Sequence, residues 1–363
     1  MSQRAIRTIT FSSLYPNGTS PNHGIFVENR LRHLLDSGEA STRVVAPVPL
    51  FPFRAKIFGR YARLAEVPRV EERNGIQVHH PRYPVVPKIG MTIAPASLFM
   101  ACLPLLRRLR RRRDFDLIDA HYFYPDGVAA TMLGKIMKKP VVITARGTDI
   151  NLIPSHPMAR RQIQWAARDA EGIVAVSEAL KDALVALGVR PERVSVLRNG
   201  VDLTTFRPEN REQARHAFGL ANPTLLSVGQ LIERKANDLI VGALPSLPEF
   251  TLILAGDGPE RRPLENLAAR LGVSDRVRFL GAVPHSQLSK VYSAADILVL
   301  ASSREGWPNV LLEAMACGTP VIASNVWGNP EVVTSPEAGR LMDERTSARI
   351  AQTVRMLFTR LPD

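Results

Sequence analysis

The chain sets out one pattern and then begins it again. Short apolar runs, Ile6–Phe11, Thr42–Ala46, Leu117–Ala120, Val141–Ala145, Gly172–Val176 and Val194–Leu197, are separated by stretches long enough for a helix to cross back over a sheet. Strand, crossover and strand in succession specify parallel pairing, because parallel neighbours cannot be joined by a tight hairpin. The rhythm resumes at Thr224–Val228 and continues through Thr251–Ala255, Val277–Leu280, Ile297–Leu300 and Val321–Ala323. Two α/β domains with Rossmann-like parallel sheets are expected, and 363 residues exceed what one hydrophobic core ordinarily organises.

Between the two series lie Asn199-Gly200-Val201-Asp202 and Phe206-Arg207-Pro208-Glu209, turn formers and a helix breaker that place the boundary near Arg207. Residues 1–206 then form the first domain, 207–345 the second, and 346–363 a short C-terminal helix. Open parallel sheets bind ligands beyond the carboxyl ends of their strands, so two such sheets facing a central cleft would carry their functional residues on the loops after strands.

Charge separates the halves. Residues 1–200 hold 30 Lys and Arg against 16 Asp and Glu, whereas the remainder holds 17 against 18. A basic first half points to a polyanion or an anionic membrane, or else to a solvated basic surface. Its densest part, Arg107-Arg108-Leu109-Arg110-Arg111-Arg112-Arg113, follows the apolar stretch Ile93–Leu106, a combination suited to an anionic lipid surface. Pro95 and Pro104 interrupt that stretch, and it falls short of the roughly 20 residues that span a bilayer, so no crossing is expected. Met1–Pro16 lacks the continuous apolar core of a secretory leader. Cys102 and Cys317 stand far apart without a neighbouring Cys or His pair, which argues against a disulfide framework or a zinc site. A cytoplasmic chain is expected, peripheral on the inner membrane face. The basic residues lack the interleaved aromatics of single-strand binders, so nucleic acid is not expected as a partner.

The most informative motif is Glu305-Gly306-Trp307-Pro308-Asn309-Val310-Leu311-Leu312-Glu313. Gly306 and Pro308 fit a loop entering a helix, which sets Glu305 at the mouth and Glu313 one or two turns in, beside apolar positions. A carboxylate there needs donors, and the vicinal hydroxyls of a ribose supply two. The N–H groups of the same helix start, around Asn309 and Val310, suit a diphosphate. Gly229 turns the chain after a strand towards Arg234 and Lys235, cations that would grip phosphate oxygens and offset charge growing on a leaving group. The plainer readings are an N-terminal acid with a solvated helix Glu, and a solvated basic pair.

The order of these segments, with Pro21-Asn22-His23-Gly24, Asp119-Ala120-His121, Thr144-Ala145-Arg146-Gly147-Thr148-Asp149, Val176-Ser177-Glu178, Asn199-Gly200-Val201-Asp202, Gly256-Asp257-Gly258-Pro259 and Gly328-Asn329-Pro330-Glu331, resembles the retaining GT-B glycosyltransferases of family 4 over almost the whole chain. The resemblance implies sugar transfer from a nucleotide diphosphate donor to a hydroxyl of a sugar or lipid-linked acceptor, in exopolysaccharide, lipopolysaccharide or glycolipid assembly. It implies no cofactor and no metal, and the Asp-x-Asp clamp of the other major glycosyltransferase fold is not expected in the chain.

Carried over residue by residue, the resemblance makes Glu305 the contact to the transferred sugar or its phosphate, Glu313 the ribose ligand, and His121 a group facing the reaction centre. Gly24, Gly229, Lys235, Gly306, Asn309 and Val310 belong to the donor side. Gln230 stands where the family usually has Arg, which leaves Arg234 as the substitute. Asp126 is expected at a helix start, as a cap or an acceptor ligand. Arg146 replaces a common His and is permanently charged, so it is expected to bind phosphate or acceptor with Asp149 nearby, or else simply to pair with Asp149. Family members usually continue into a helix that crosses back to the first domain; this sequence stops at Asp363 without it, which fits either a short enzyme or a truncated form. Two rival readings are a nucleotide-sugar epimerase of the same fold and a polyanion-binding protein.

Overall fold

The computed structural model describes residues 4–51, 60–85 and 90–359. They form two compact units, Met1–Arg198 and Asn199–Asp363. The expected boundary moves back by a few residues for a physical reason. Asn199 donates from Nδ2 to Asn309 Oδ1 and accepts at its carbonyl from Trp307 Nε1, while Phe206 is buried in the second unit's core. Asn199–Phe206 therefore belong to the second unit.

The first unit contains β1 (Ile6–Phe11), β2 (Ala40–Val45), β3 (Val48–Pro49), β4 (Val70–Arg73), β5 (Ile76–His79), β6 (Arg82–Tyr83), β7 (Leu117–His121), β8 (Val141–Ala145), β9 (Gly172–Ala175) and β10 (Val194–Val196). Eight of these make one sheet in the order β10-β9-β8-β7-β1-β2-β5-β4, parallel except for the β4–β5 hairpin, and β3 and β6 pair separately. The chain moves outward from β1 to β2 and β5, then returns to the other side of β1 at β7. That reversal opens a crevice at the carboxyl ends of β1 and β7.

The second unit contains β11 (Thr224–Val228), β12 (Thr251–Ala255), β13 (Val277–Gly281), β14 (Ile297–Leu300), β15 (Val321–Ser324) and β16 (Gly339–Met342), all parallel in the order β13-β12-β11-β14-β15-β16. Its reversal lies between β11 and β14. Strand residues alternate between two cores: Leu225, Leu252, Leu254, Ile297 and Val299 face one, Leu226, Ile253, Leu298 and Leu300 the other. The terminal helix, Ser347–Phe358, is capped by the Thr346 hydroxyl and packs Ile350, Ala351, Val354 and Leu357 into the first of these cores. Residues 360–363 of that expected segment lie outside the described residues.

One expectation fails outright. Pro95 and Pro104 do not interrupt the apolar stretch; both lie inside one helix, Gly90–Arg112, of 23 residues. Leu98, Cys102, Leu106 and Leu109 form a buried stripe along it. Packing of that stripe offsets the backbone bonds the prolines remove. By length and composition the helix is long and apolar enough to cross a membrane, and 28% of its most apolar window is buried.

Candidate active site

Each unit gathers polar residues at its own sheet reversal. In the second, the loop after β11 and the loop after β14 meet, because these strands are adjacent and parallel. Lys235 Nζ lies 2.7 Å from Glu305 Oε1, and Arg234 Nη1 lies 3.1 Å from the same oxygen. Arg234 Nη1 also donates to the Arg304 carbonyl at 2.8 Å. Glu305 is only 8% exposed. Burial alone would raise its pKa, yet Lys235 and Arg234 hold it below the ordinary 4.5.

Glycine decides the shape of this corner. A Cβ on Gly256 would fall 1.7 Å from the Gly229 carbonyl oxygen, and one on Gly258 would fall 2.2 Å from that of Leu231. The loop Gly229–Lys235 thus rests directly on the backbone after β12. At Gly229 itself φ is 139°, with the Lys235 side chain lying over the Cα. A side chain at either contact would push the cations away from Glu305.

Beyond Glu305, Gly306 is buried and the helix Asn309–Ala316 begins after Pro308 without a side-chain cap. Of its first-turn N–H groups, that of Asn309 donates to the Trp307 carbonyl at 3.1 Å and that of Leu311 to the Pro308 carbonyl at 3.0 Å, which leaves the Val310 N–H to meet an anion. Glu313, also 8% exposed, accepts from the Tyr292 hydroxyl at 2.7 Å on Oε2 and has His285 Nε2 at 3.5 Å from Oε1. Tyr292, on the helix Leu288–Ala294, and His285, in the turn before it, precede Glu313 in sequence by many residues and carry no local motif; only the packing reveals them.

In the first unit, the ends of β1 and β7 are tied together by Ser12, whose hydroxyl donates to the His121 carbonyl at 3.1 Å. The His121 side chain is 2% exposed and both ring nitrogens are engaged: Nδ1 lies 2.7 Å from Arg146 Nη2, and Nε2 lies 3.2 Å from Asp119 Oδ2. A guanidinium only donates, so Nδ1 must accept, and the proton resides on Nε2 facing Asp119. Burial pushes the imidazole down to about 4, against the opposing pull of Asp119. At neutral pH His121 is neutral, with neither nitrogen open to take a proton. Asp119 was legible in principle, since residues two apart on a strand share a face.

Arg146 reaches His121 with its guanidinium and stacks over the Phe26 ring at 5.4 Å. Burial lowers it to about 9, which leaves it cationic at neutral pH. Asp149 receives the backbone N–H of Phe123 at 2.6 Å, of Gly147 at 2.7 Å and of Arg146 at 3.1 Å. Its carboxylate shapes the loop, and it is linked to Arg146 both through that residue's backbone N–H and through its charge, which favours the guanidinium cation.

Asp126 does not cap a helix. Its Oδ2 accepts from both the Ser13 N–H, at 2.9 Å, and the Ser13 hydroxyl, at 2.8 Å, while Oδ1 is buried without a hydrogen-bond partner among the described residues. Burial pushes this carboxyl up to about 7. Gly24 has φ 67°, and a Cβ there would sit 2.4 Å from the Leu14 carbonyl, so it lets the first helix abut the loop after β1.

The sequence does contain an Asp-x-Asp spacing, Asp114-Phe115-Asp116. Asp114 pairs with Lys139 at 2.8 Å and Asp116 with Arg7 at 2.8 Å, at the start of β7, the opposite end of that strand from His121. These carboxylates have structural partners of their own.

The comparisons agree with this architecture. A family model described as "Glycosyl transferases group 1" matches residues 208–360, and one described as "Glycosyltransferase Family 4" matches residues 53–205. A Bacillus subtilis protein named as a teichuronic acid biosynthesis glycosyltransferase, TuaC, is 30% identical over 89% of this chain and 82% of its own length. A D-inositol 3-phosphate glycosyltransferase of Mycobacterium sp. strain KMS is 35% identical over 58% of this chain, and the match spans about half of that relative, 49%. Anabaena HepE, solved in complex with UDP, superposes with a TM-score of 0.72 at 24% identity, covering 98% of this chain and 90% of that one. The chain belongs to the group 1 glycosyl transferases and has the GT-B fold. Neither the epimerase nor the polyanion-binding reading is favoured by these relatives.

Proposed function

We propose that the chain transfers a sugar, with retention of configuration and without a metal, from a nucleoside diphosphate sugar to a hydroxyl of a sugar or lipid-linked acceptor. The observation that carries this reading is the convergence of Arg234 and Lys235 on Glu305 at the start of the helix that also bears Glu313. The arrangement supplies two cations and a helix start for a diphosphate, one carboxylate for the sugar and one for the ribose.

In the proposed reaction Arg234 and Lys235 shift from Glu305 towards the diphosphate and stabilise the charge that grows as the glycosidic bond breaks. Glu305 accepts from hydroxyls of the transferred sugar. The leaving phosphate oxygen takes the acceptor's proton. His121, neutral and held on both sides, orients rather than deprotonates, and Arg146 serves the acceptor side. Positioning and charge stabilisation supply most of the rate.

The Bacillus relative's name supports a role in polysaccharide assembly. The helix Gly90–Arg112, with Met91, Met100, Arg107 and Arg108 exposed, supports docking on an anionic membrane face where a lipid-linked acceptor resides. The test of the reaction is a thermal-shift screen of nucleotide sugars followed by release of nucleoside diphosphate. Glu313→Ala is expected to weaken donor binding and His121→Ala to lower turnover; full activity in both removes the assignment.

A further inference from the structure

A carboxylate that holds a pair of hydroxyls must keep an oxygen turned towards them. Glu313 has three side-chain rotors and sits on a helix whose inward neighbours, Leu311 and Ala314, are buried in the core, so packing alone does not orient its polar end. The Tyr292 hydroxyl does. It donates to Oε2 at 2.7 Å, a charge-assisted and directional bond.

Tyr292 is itself fixed. It is fully buried on the helix Leu288–Ala294, and the Thr319 hydroxyl donates to its carbonyl at 2.7 Å. The Phe206 ring meets it edge-on at a centroid distance of 6.0 Å and also meets His285 at 5.0 Å. Burial and the neighbouring Glu313 raise the phenol well above its ordinary pKa, so it remains a donor. On the other oxygen His285 Nε2 stands off at 3.5 Å, the long limit of a hydrogen bond.

We propose that Tyr292 is a positioning residue for nucleotide recognition: it holds Glu313 by Oε2 and leaves Oε1 directed at the ribose hydroxyls. This rests on the reading of Glu313 as the ribose ligand. Preorganisation of this kind raises affinity by removing the ordering that binding would otherwise require.

The test measures binding of ADP, CDP, GDP and UDP by calorimetry to the full chain. The tightest of the four is then compared with its 2′-deoxy and 3′-deoxy counterparts, in the wild type and in Tyr292→Phe and Glu313→Gln. The wild type is expected to prefer the ribose form by about tenfold or more. Tyr292→Phe is expected to lose most of that preference while binding the deoxy forms as the wild type does, a pattern that general loss of structure does not produce. Undiminished preference in Tyr292→Phe overturns the proposal, and so does an equal loss of ribose and deoxy binding. Preference retained in Glu313→Gln, or no binding of any diphosphate, instead overturns the ribose reading on which the proposal stands.

Discussion

Lys235 Nζ and Glu305 Oε1, 70 residues apart in sequence, lie 2.7 Å apart at the reversal of the second sheet, with little solvent around either. A buried carboxylate between two cations is stable only as a set, because each charge lost leaves another without compensation. The geometry makes this corner sensitive to the loss of any one of Arg234, Lys235 and Glu305.

Lys235→Met is therefore expected to destabilise the second unit by about 3 kcal/mol at neutral pH, part of the loss being offset by the remaining Arg234. Urea denaturation checks it. Since Glu305 is depressed below 4.5 by these cations, the stabilisation is complete above pH 4.5 and disappears as pH falls through the lower folded value. The stability gap between the wild type and Glu305→Gln should accordingly shrink between pH 7 and pH 3.5; a constant gap contradicts the ion-pair account.

The same linkage applies to His121, for which the neutral ring is the form favoured in the folded chain. Its folded pKa of about 4 lies below the ordinary 6.5, so the unfolded chain binds the proton first and stability falls as pH drops from 6.5 towards 4. On its own the shift corresponds to a contribution on the order of 3 kcal/mol. Nitrogen-detected NMR of the imidazole should show the Nε2–H tautomer at pH 7. Arg146→Leu should release Nδ1 and raise the His121 pKa; an Nδ1–H ring in the wild type defeats the assignment.

Gly256→Ala should cost several kcal/mol and abolish nucleotide binding, because the new methyl must displace the Gly229 carbonyl 1.7 Å away and carry Lys235 with it. Gly200→Ala, with nothing among the described residues within 4 Å of the added Cβ, is the control and should bind nucleotide as the wild type does. Equal binding by both variants would show that the contact is unimportant.

For the membrane, replacing Arg107, Arg108 and Arg111 by Gln should weaken co-sedimentation with anionic vesicles by about 3 kcal/mol, roughly a hundredfold, at low salt. Vesicles lacking anionic lipid should bind both proteins alike. Binding unaffected by the substitutions, or indifferent to lipid charge, removes the docking surface.

Much of the architecture was legible because it rests on local chemistry. Strand runs such as Thr224–Val228 and Thr251–Ala255 are fully buried and parallel, so they read as continuous apolar segments. The hairpin of β4 and β5 was not legible, since Val70–Arg73 alternates exposed and half-buried residues, three of them charged. The helix through Pro95 and Pro104 was misread for the reverse reason: local rules break it, and packing against the neighbouring helix Val128–Met137 preserves it.

The sequence by itself determined the two α/β units and put forward the candidates Glu305, Glu313, Arg234, Lys235 and His121, because apolar periodicity, glycine turns and residue order are local properties. Only the tertiary structure decided what those side chains touch. It paired Lys235 with Glu305, Tyr292 with Glu313 and Asp119 with His121, and it committed Asp149 to backbone N–H groups. Partners of a buried charge are chosen by which strands lie side by side and which nearby donors satisfy it at least desolvation, and neither is written in any short stretch of the chain.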